Sequence, residues 1–239
     1  MFGHCIYKSA QGVRVFQNPL YRWLHFESRA IQTLINRYFP YKPGLSYLNP
    51  LILPVQIQPE DCCMLGLGGG GAAHALSSYL GDFKLVIVEA NSEVIDIAHR
   101  FFMIGELKNL NIIHQDASLF VRNCNTKFQH ILVDLFTAKS FPTQCHSEEF
   151  FIHCKQLLKP GGLLAINLAN RQEQWPIFQL IQKQFPRSTI AIPVTDSANM
   201  IILAQNSHSI TTYLDILKKS KKLQGLVWDA KWGCIAKIR

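Results

Sequence analysis

Residues 62–76, CCMLGLGGGGAAHAL, decide how the rest of the chain is read. An apolar burst, Cys62 to Leu65, runs into Gly66, Gly68, Gly69, Gly70 and Gly71, and small residues then open a helix. Glycines at such a turn remove the side chains that would keep a ligand away from the backbone. Gly66, Gly68 and Gly71 satisfy G-x-G-x-x-G, and Glu89 closes the next apolar run at the spacing of a ribose-binding acid. Strand, glycine turn, helix, strand and acid in that order predict a nucleoside-bearing cofactor. The motif does not say which one.

Outward from this stretch, strand-like and helix-like segments alternate. FKLVIVEA precedes SEVIDIAHRFF, NLNIIHQDA precedes a short helix, and FQHILVDLF leads through a loop to SEEFFIHCKQLL. GGLLAINLA then precedes a helix around 172–185. This alternation builds a mostly parallel sheet covered by helices on both faces. RSTIAIPV and NMIILAQN are separated by only a few residues, which forces an antiparallel hairpin at the end of the sheet. The fold expected is therefore α/β, with a seven-stranded sheet and a terminal antiparallel hairpin. Upstream, residues 4–27 read as a small β-meander broken at Gly12 and Asn18-Pro19, and 28–58 as a helical or irregular connector. The division expected is a small β extension and connector over 1–58 and one Rossmann-like catalytic domain over 59–239.

Composition narrows the partners. With 48% hydrophobic residues, the 239-residue chain can fill a sizeable core. Seven cysteines without regular spacing do not read as a disulfide framework, so a reducing, cytoplasmic setting is expected. The start lacks a basic-then-apolar signal pattern, and the longest apolar runs are of strand length, so no membrane span is expected. The net charge of +8 is spread along the chain. Its one cluster, LKKSKK at 217–222, reads as a solvated helix face, and nucleic acid is not an expected partner. Cys62 and Cys63 point to opposite faces of a strand, and His146, His153 and Cys154 lack chelating spacing, so no metal is expected. Trp175, Trp228 and Trp232 read as packing residues.

Two aspartates stand at strand ends beside the glycine turn. Asp116 follows the third strand in IIHQDA. There it is placed either to accept a hydrogen bond from an adenine amino group or to cap the next helix. Asp134 follows four apolar residues in HILVD, where poor solvation makes its pKa tunable for general-base work. The loop after it, TAKSFPTQCHSEE, starts at the edge where substrate contacts gather.

At these residues the chain resembles the polyamine aminopropyltransferases, the spermidine synthase family, which share the class I S-adenosylmethionine-dependent methyltransferase fold. The resemblance runs through LGLGGG, VEANSEVIDIAHRFF, HQDA, FQHILVDLF, EEFFIHCKQLLKPGG and LAINL in the family's order. It implies that Glu89 holds the ribose, that Asp116 with Ala117 meets the adenine, and that Gly66 and Gly68 to Gly70 cradle the cofactor chain. It implies further that Gln32 contacts the cofactor, that Tyr47 lines an amine channel, and that Asp134 binds the amine and takes its proton. A homodimer is the family's habit.

The chain also departs from the family. Gly71 stands where an aspartate usually closes the glycine run, Thr137 where a second aspartate helps hold a diamine, Leu48-Asn49 for His-Glu, and Asn91 for an acid. A diamine leaves a second charge to be paired, and an unpaired one costs several kcal/mol. Asp196, in the hairpin turn, is the candidate substitute. The expected activity is transfer of an aminopropyl group from decarboxylated S-adenosylmethionine, or use of ordinary S-adenosylmethionine, with an amine acceptor and no metal. An S-adenosylmethionine-dependent methyltransferase and a non-catalytic nucleoside-binding protein with a degenerate amine site are the alternatives.

Overall fold

The computed structural model describes residues 2–26, 30–135, 140–207 and 211–238. The chain opens with β1 (His4–Lys8), β2 (Arg14–Gln17), β3 (Tyr21–His25) and β4 (Ile31–Asn36), an antiparallel sheet in the order β1-β2-β3-β4. Gly12 turns the first hairpin at φ 83°. The Asn18 side chain ties the second, accepting from the Leu20 and Tyr21 amides at 3.0 and 2.7 Å. The fourth strand lies in the stretch expected to be a connector. Its IQTLIN sequence buries Thr33 and Ile35 on one face, a two-residue period that marks a strand. Irregular chain follows, and then the short helices α1 (Leu48–Leu51) and α2 (Leu53–Ile57).

The second sheet is built from β5 (Cys62–Leu65), β6 (Leu85–Glu89), β7 (Leu110–His114), β8 (Phe128–Val133), β9 (Leu158–Leu168), β10 (Thr189–Pro193) and β11 (Met200–Gln205). Two further strands, β12 (Leu223–Asp229) and β13 (Gly233–Ile238), complete it. The order is β12-β13-β10-β11-β9-β8-β5-β6-β7. Strands β9, β8, β5, β6 and β7 are parallel, and β11 runs antiparallel between β9 and β10. The expected parallel core and terminal hairpin are thus present, but among the described residues the sheet has nine strands rather than seven. The last pair is masked in sequence by its glycines and charges, and it joins because β13 pairs parallel with β10 at Ile190–Cys234 and Ala191–Ile235.

Helices α3 (Gly71–Leu80), α4 (Ser92–Phe101), α5 (Ala117–Asn123), α6 (Glu148–Leu157), α7 (Arg171–Gln184) and α8 (Thr211–Lys219) cover the faces. Side chains alternate between two cores. Cys62 and Met64 enter one with α3 and Leu217 of α8, whereas Cys63 and Leu65 enter the other with Phe120, Phe151 and Phe178 of α5, α6 and α7. A third cluster, Val13, Val15, Leu24 and Ile35 against Ile97 and Phe102, seats the N-terminal sheet on α4. Trp175 and Trp232 pack edge to face at 5.3 Å, as expected of packing residues. Trp228 does not: it stands on the outermost strand, β12, and is 78% exposed. Among the described residues no helix is long and apolar enough to cross a membrane.

One buried titratable group makes stability depend on pH. His130, on β8, is fully buried, and its Nε2 lies 2.7 Å from the Gln58 carbonyl oxygen. Burial pushes its pKa down to about 4 from 6.5, so the folded ring is neutral and donates from Nε2. The unfolded chain takes up this proton below pH 6.5 and the folded one resists until about pH 4. The stabilisation is full above pH 6.5 and fades across that window by roughly 3 kcal/mol. Replacing His130 with glutamine, which keeps the donor, is expected to flatten the fall of Tm between pH 6.5 and pH 4.

Candidate functional site

The carboxyl ends of β5, β6, β7 and β8 open into a cavity of about 380 Å³, within the usual range for small-molecule sites. The glycine turn forms its floor. Gly66 has φ 100°, and a Cβ there would lie 2.3 Å from the Asp134 carbonyl oxygen, so a side chain is excluded by both conformation and space. Gly66, Gly68 and Gly71 line the cavity. Gly69 and Gly70 instead back onto Thr33, Phe102 and Ile104, and Gly70 is the left-handed residue that starts α3. The Thr33 hydroxyl of β4 accepts from the Gly69 amide at 2.8 Å, so the N-terminal sheet holds the turn. Gln32, beside it on β4, lines the cavity.

Glu89 is preset by the backbone around it. Its Oε2 accepts from the Leu67 amide at 3.0 Å and its Oε1 from the Asn91 amide at 2.9 Å. Each oxygen keeps a second lone pair for a ligand hydroxyl. Asn91 has a structural task as well, capping α4 through the Glu93 amide. Asp116 caps the next helix, one of the two roles its position allows, and its second oxygen stands beside the cavity. Its Oδ1 caps α5 through the Ser118 and Leu119 amides at 2.8 and 3.1 Å, and its Oδ2 accepts from Gln144 Nε2 at 3.0 Å beside the cavity. Burial alone would raise its pKa, but hydrogen bonds from Ser118, Gln144 and Leu119 outweigh it and hold the carboxyl below its ordinary value. Ala117 also lines the cavity.

Asp134 directly follows β8. Tyr47, the residue before α1, donates its hydroxyl to Oδ2 at 2.9 Å, and Asn167 of β9 donates to Oδ1 at 2.8 Å. Burial pushes this carboxyl above its ordinary range, and the two hydrogen bonds only partly offset that. Burial and the neighbouring Asp134 push the Tyr47 hydroxyl well above its ordinary pKa, so it acts as a neutral donor.

One position named from sequence is not brought here. Asp196 is an exposed turn residue with φ 56° and does not line the cavity; the hairpin reaches the site through Asn199 instead. Thr137 lies outside the described residues. At Gly71, an added Cβ would come 3.3 Å from Thr33 Cγ2, so β4 occupies the space beside this helix start. Thr33, Asn167 and Asn199 are contributors that motif reading missed, because each reaches its partner from an element remote in sequence, whereas Gln144 falls in the loop TAKSFPTQCHSEE that the sequence places at this edge.

Chemically, Glu89, Asp116 and Asp134 put three carboxylates around the cavity, and no lysine, arginine or histidine lines it among the described residues. Such a site favours a cationic ligand and disfavours an anionic one. Among the described residues, no three metal-ligating side chains come together in a group that could hold a metal ion. The glycine floor and the anchored Glu89 leave room for a ligand that brings hydroxyl groups to this carboxylate.

A family model described as the spermine/spermidine synthase domain matches residues 49–213. A polyamine aminopropyltransferase of Chromobacterium violaceum is 28% identical over 218 residues, covering 89% of this chain and 84% of that protein. An eEF1A lysine and N-terminal methyltransferase homolog of Drosophila pseudoobscura is 24% identical over 71% of the chain and 27% of its own length. Among solved structures, a spermidine synthase in complex with the transition-state analogue AdoDATO superposes with a TM-score of 0.71 at 18% identity, covering 87% of this chain and 75% of that one. Human methyltransferase-like protein 13 in complex with SAH superposes with a TM-score of 0.58 at 18% identity, covering 80% and 93%.

Proposed function

Because the chain belongs to the spermine/spermidine synthase family, whose domain spans residues 49–213, we propose that it is an aminopropyltransferase acting on an amine acceptor with Asp134 as the base. The observation that carries this reading is the charge of the cavity, three carboxylates and no basic side chain among the described residues. Glu89 would hold the ribose hydroxyls, Asp116 the adenine amino group, and the floor at Gly66 and Gly68 the chain beyond the sulfur. Gln32 lines the same space from β4. The co-substrate supplies an electrophilic carbon beside a sulfonium. The acceptor nitrogen bonds to that carbon, the carbon–sulfur bond breaks, and its electron pair leaves on sulfur as methylthioadenosine. Asp134 takes the proton that the nitrogen sheds.

The same charge argument separates the two donors. Ordinary S-adenosylmethionine carries a carboxylate on the chain beyond the sulfur, which would face the Asp134 side of a cavity that no lysine, arginine or histidine lines among the described residues, so the decarboxylated form is the better fit. The methyltransferase relatives keep methyl transfer as the second reading. Calorimetry with decarboxylated S-adenosylmethionine, S-adenosylmethionine, methylthioadenosine and NAD tests both, followed by release of methylthioadenosine across a panel of amines. Binding of the decarboxylated form at least about tenfold tighter than S-adenosylmethionine is expected, equivalent to about 1.4 kcal/mol. Recognition of NAD alone rejects the family chemistry, and nucleoside binding without turnover on any amine leaves a binding protein.

A further inference from the structure

The hairpin between β10 and β11 is joined to Asp134 by a chain of side chains that none of the cavity motifs contains. Ser197 Oγ donates to Asn199 Oδ1, and the Asn199 amide donates back to Ser197 Oγ at 3.2 Å. With its oxygen so engaged, Asn199 turns Nδ2 toward Asn167 and donates to Oδ1 at 2.7 Å. Asn167 in turn directs Nδ2 to Asp134 Oδ1 at 2.8 Å. An amide's two ends are told apart by their partners. Here the partners are consistent along the whole line, and donation runs one way, from the hairpin to the carboxylate.

We propose that Asn199 and Asn167 are positioning residues that fix Asp134 Oδ1 as a permanent acceptor, leaving Oδ2 as the oxygen that takes the substrate proton. Oδ1 faces an N–H that cannot accept, so a proton has no place on that side. Oδ2 faces the Tyr47 hydroxyl at 2.9 Å, which donates to the ionised carboxylate and can rotate to accept from the protonated one. Tyr47 is the titratable side chain in contact with Asp134 among the described residues. Glu89 and Asp116 stand at the ends of β6 and β7, two and three strands away from β8, or about 10 and 14 Å at the usual strand spacing. Asn167 is only 6% exposed, and Asn199 comes from the far side of β9, so neither needs to touch substrate to act. The role of Oδ2 rests on the aminopropyltransferase reading; the orientation of Asn167 does not.

Replacing Asn199 with aspartate tests both parts at nearly unchanged volume. It puts an acceptor where Nδ2 donated, and Asn167 must then turn its carbonyl toward Asp134. The expected result is a titration midpoint of the Asp134 carboxyl, followed by carbon NMR and assigned by its loss in Asp134→Asn, that rises by about one pH unit or more. The acidic limb of kcat/KM moves with it, kcat falls, and methylthioadenosine affinity stays within about twofold. Asn199→Ala, which removes the donor without adding an acceptor, is expected to shift the midpoint the same way by less. A folded Asn199→Asp or Asn199→Ala protein with an unmoved midpoint overturns the proposal, even where Tm has changed. Absence of turnover in the wild type overturns the reading of Asp134 as a base and the role of Oδ2, while the NMR titration still decides whether the two asparagines hold the carboxylate.

Discussion

Asp134→Asn is expected to lower methylthioadenosine release by about 10²- to 10⁴-fold, the usual share of a positioned base, while leaving the protein as stable or more so. The two effects have one origin. The carboxyl of Asp134 is pushed above its ordinary range by burial, so the fold disfavours its ionised form. A carboxyl whose folded pKa is raised adds stability below the unfolded pKa near 3.8 and loses it as pH rises through the folded value. At neutral pH the wild type therefore keeps a charge that the folded state opposes. Asparagine removes that opposition and can retain both contacts, accepting from Asn167 and donating to the Tyr47 oxygen. Activity has the opposite sign with pH: the base form grows as pH rises through the raised pKa, so the acidic limb lies above that of an ordinary carboxylate. Parallel measurement of Tm and turnover at pH 7 checks this. A variant that keeps wild-type turnover removes Asp134 from the chemistry, and one that loses activity only by unfolding removes the evidence for its role.

What could be read from the sequence follows from how far apart in the chain the contributors lie. The glycine turn, Glu89, Asp116 and Asp134 sit at the ends of consecutive strands, where the alternation of apolar runs and helices already places them on one edge. Local sequence carries that much. It does not carry Thr33, whose hydroxyl reaches the Gly69 amide from a strand 36 residues earlier, because nothing in IQTLIN distinguishes a core threonine from one that holds a turn. Asn167 is on β9 and Asn199 stands just before β11, and their meaning lies in an antiparallel register that pairs Asn167 with Ile201. Asp196 was the more conspicuous residue in the same turn for its charge. The turn geometry that gives it a left-handed backbone also faces it to solvent. The missed strands β12 and β13 have a related cause: Gly225, Gly233 and the flanking lysines obscure the alternation, and only pairing with β10 defines them.

Removal of the Glu89 carboxylate is the second large effect expected, and it falls on binding rather than on proton transfer. Glu89→Ala takes away the acceptor for the Leu67 and Asn91 amides, at 3.0 and 2.9 Å, together with the lone pairs that face the cavity. Hydrogen bonds to a charged group contribute about 1.5–3 kcal/mol each, so two to the ribose amount to a loss on the order of 10²- to 10⁴-fold in methylthioadenosine affinity. The glycine turn loses its tether to β6 in the same substitution, which adds a fall in Tm. Glu89→Gln separates the two contributions. Its amide oxygen still accepts from one backbone N–H, whereas its NH₂ must face the other N–H or the ligand, so one of the partners is always mismatched. Stability is then expected to recover more than affinity does. Calorimetry on the three proteins with methylthioadenosine reads the difference. Equal affinity in the wild type and Glu89→Ala would place the ribose elsewhere in the cavity, and with it the assignment of Asp116 to the adenine, since both rest on the same order of strand ends.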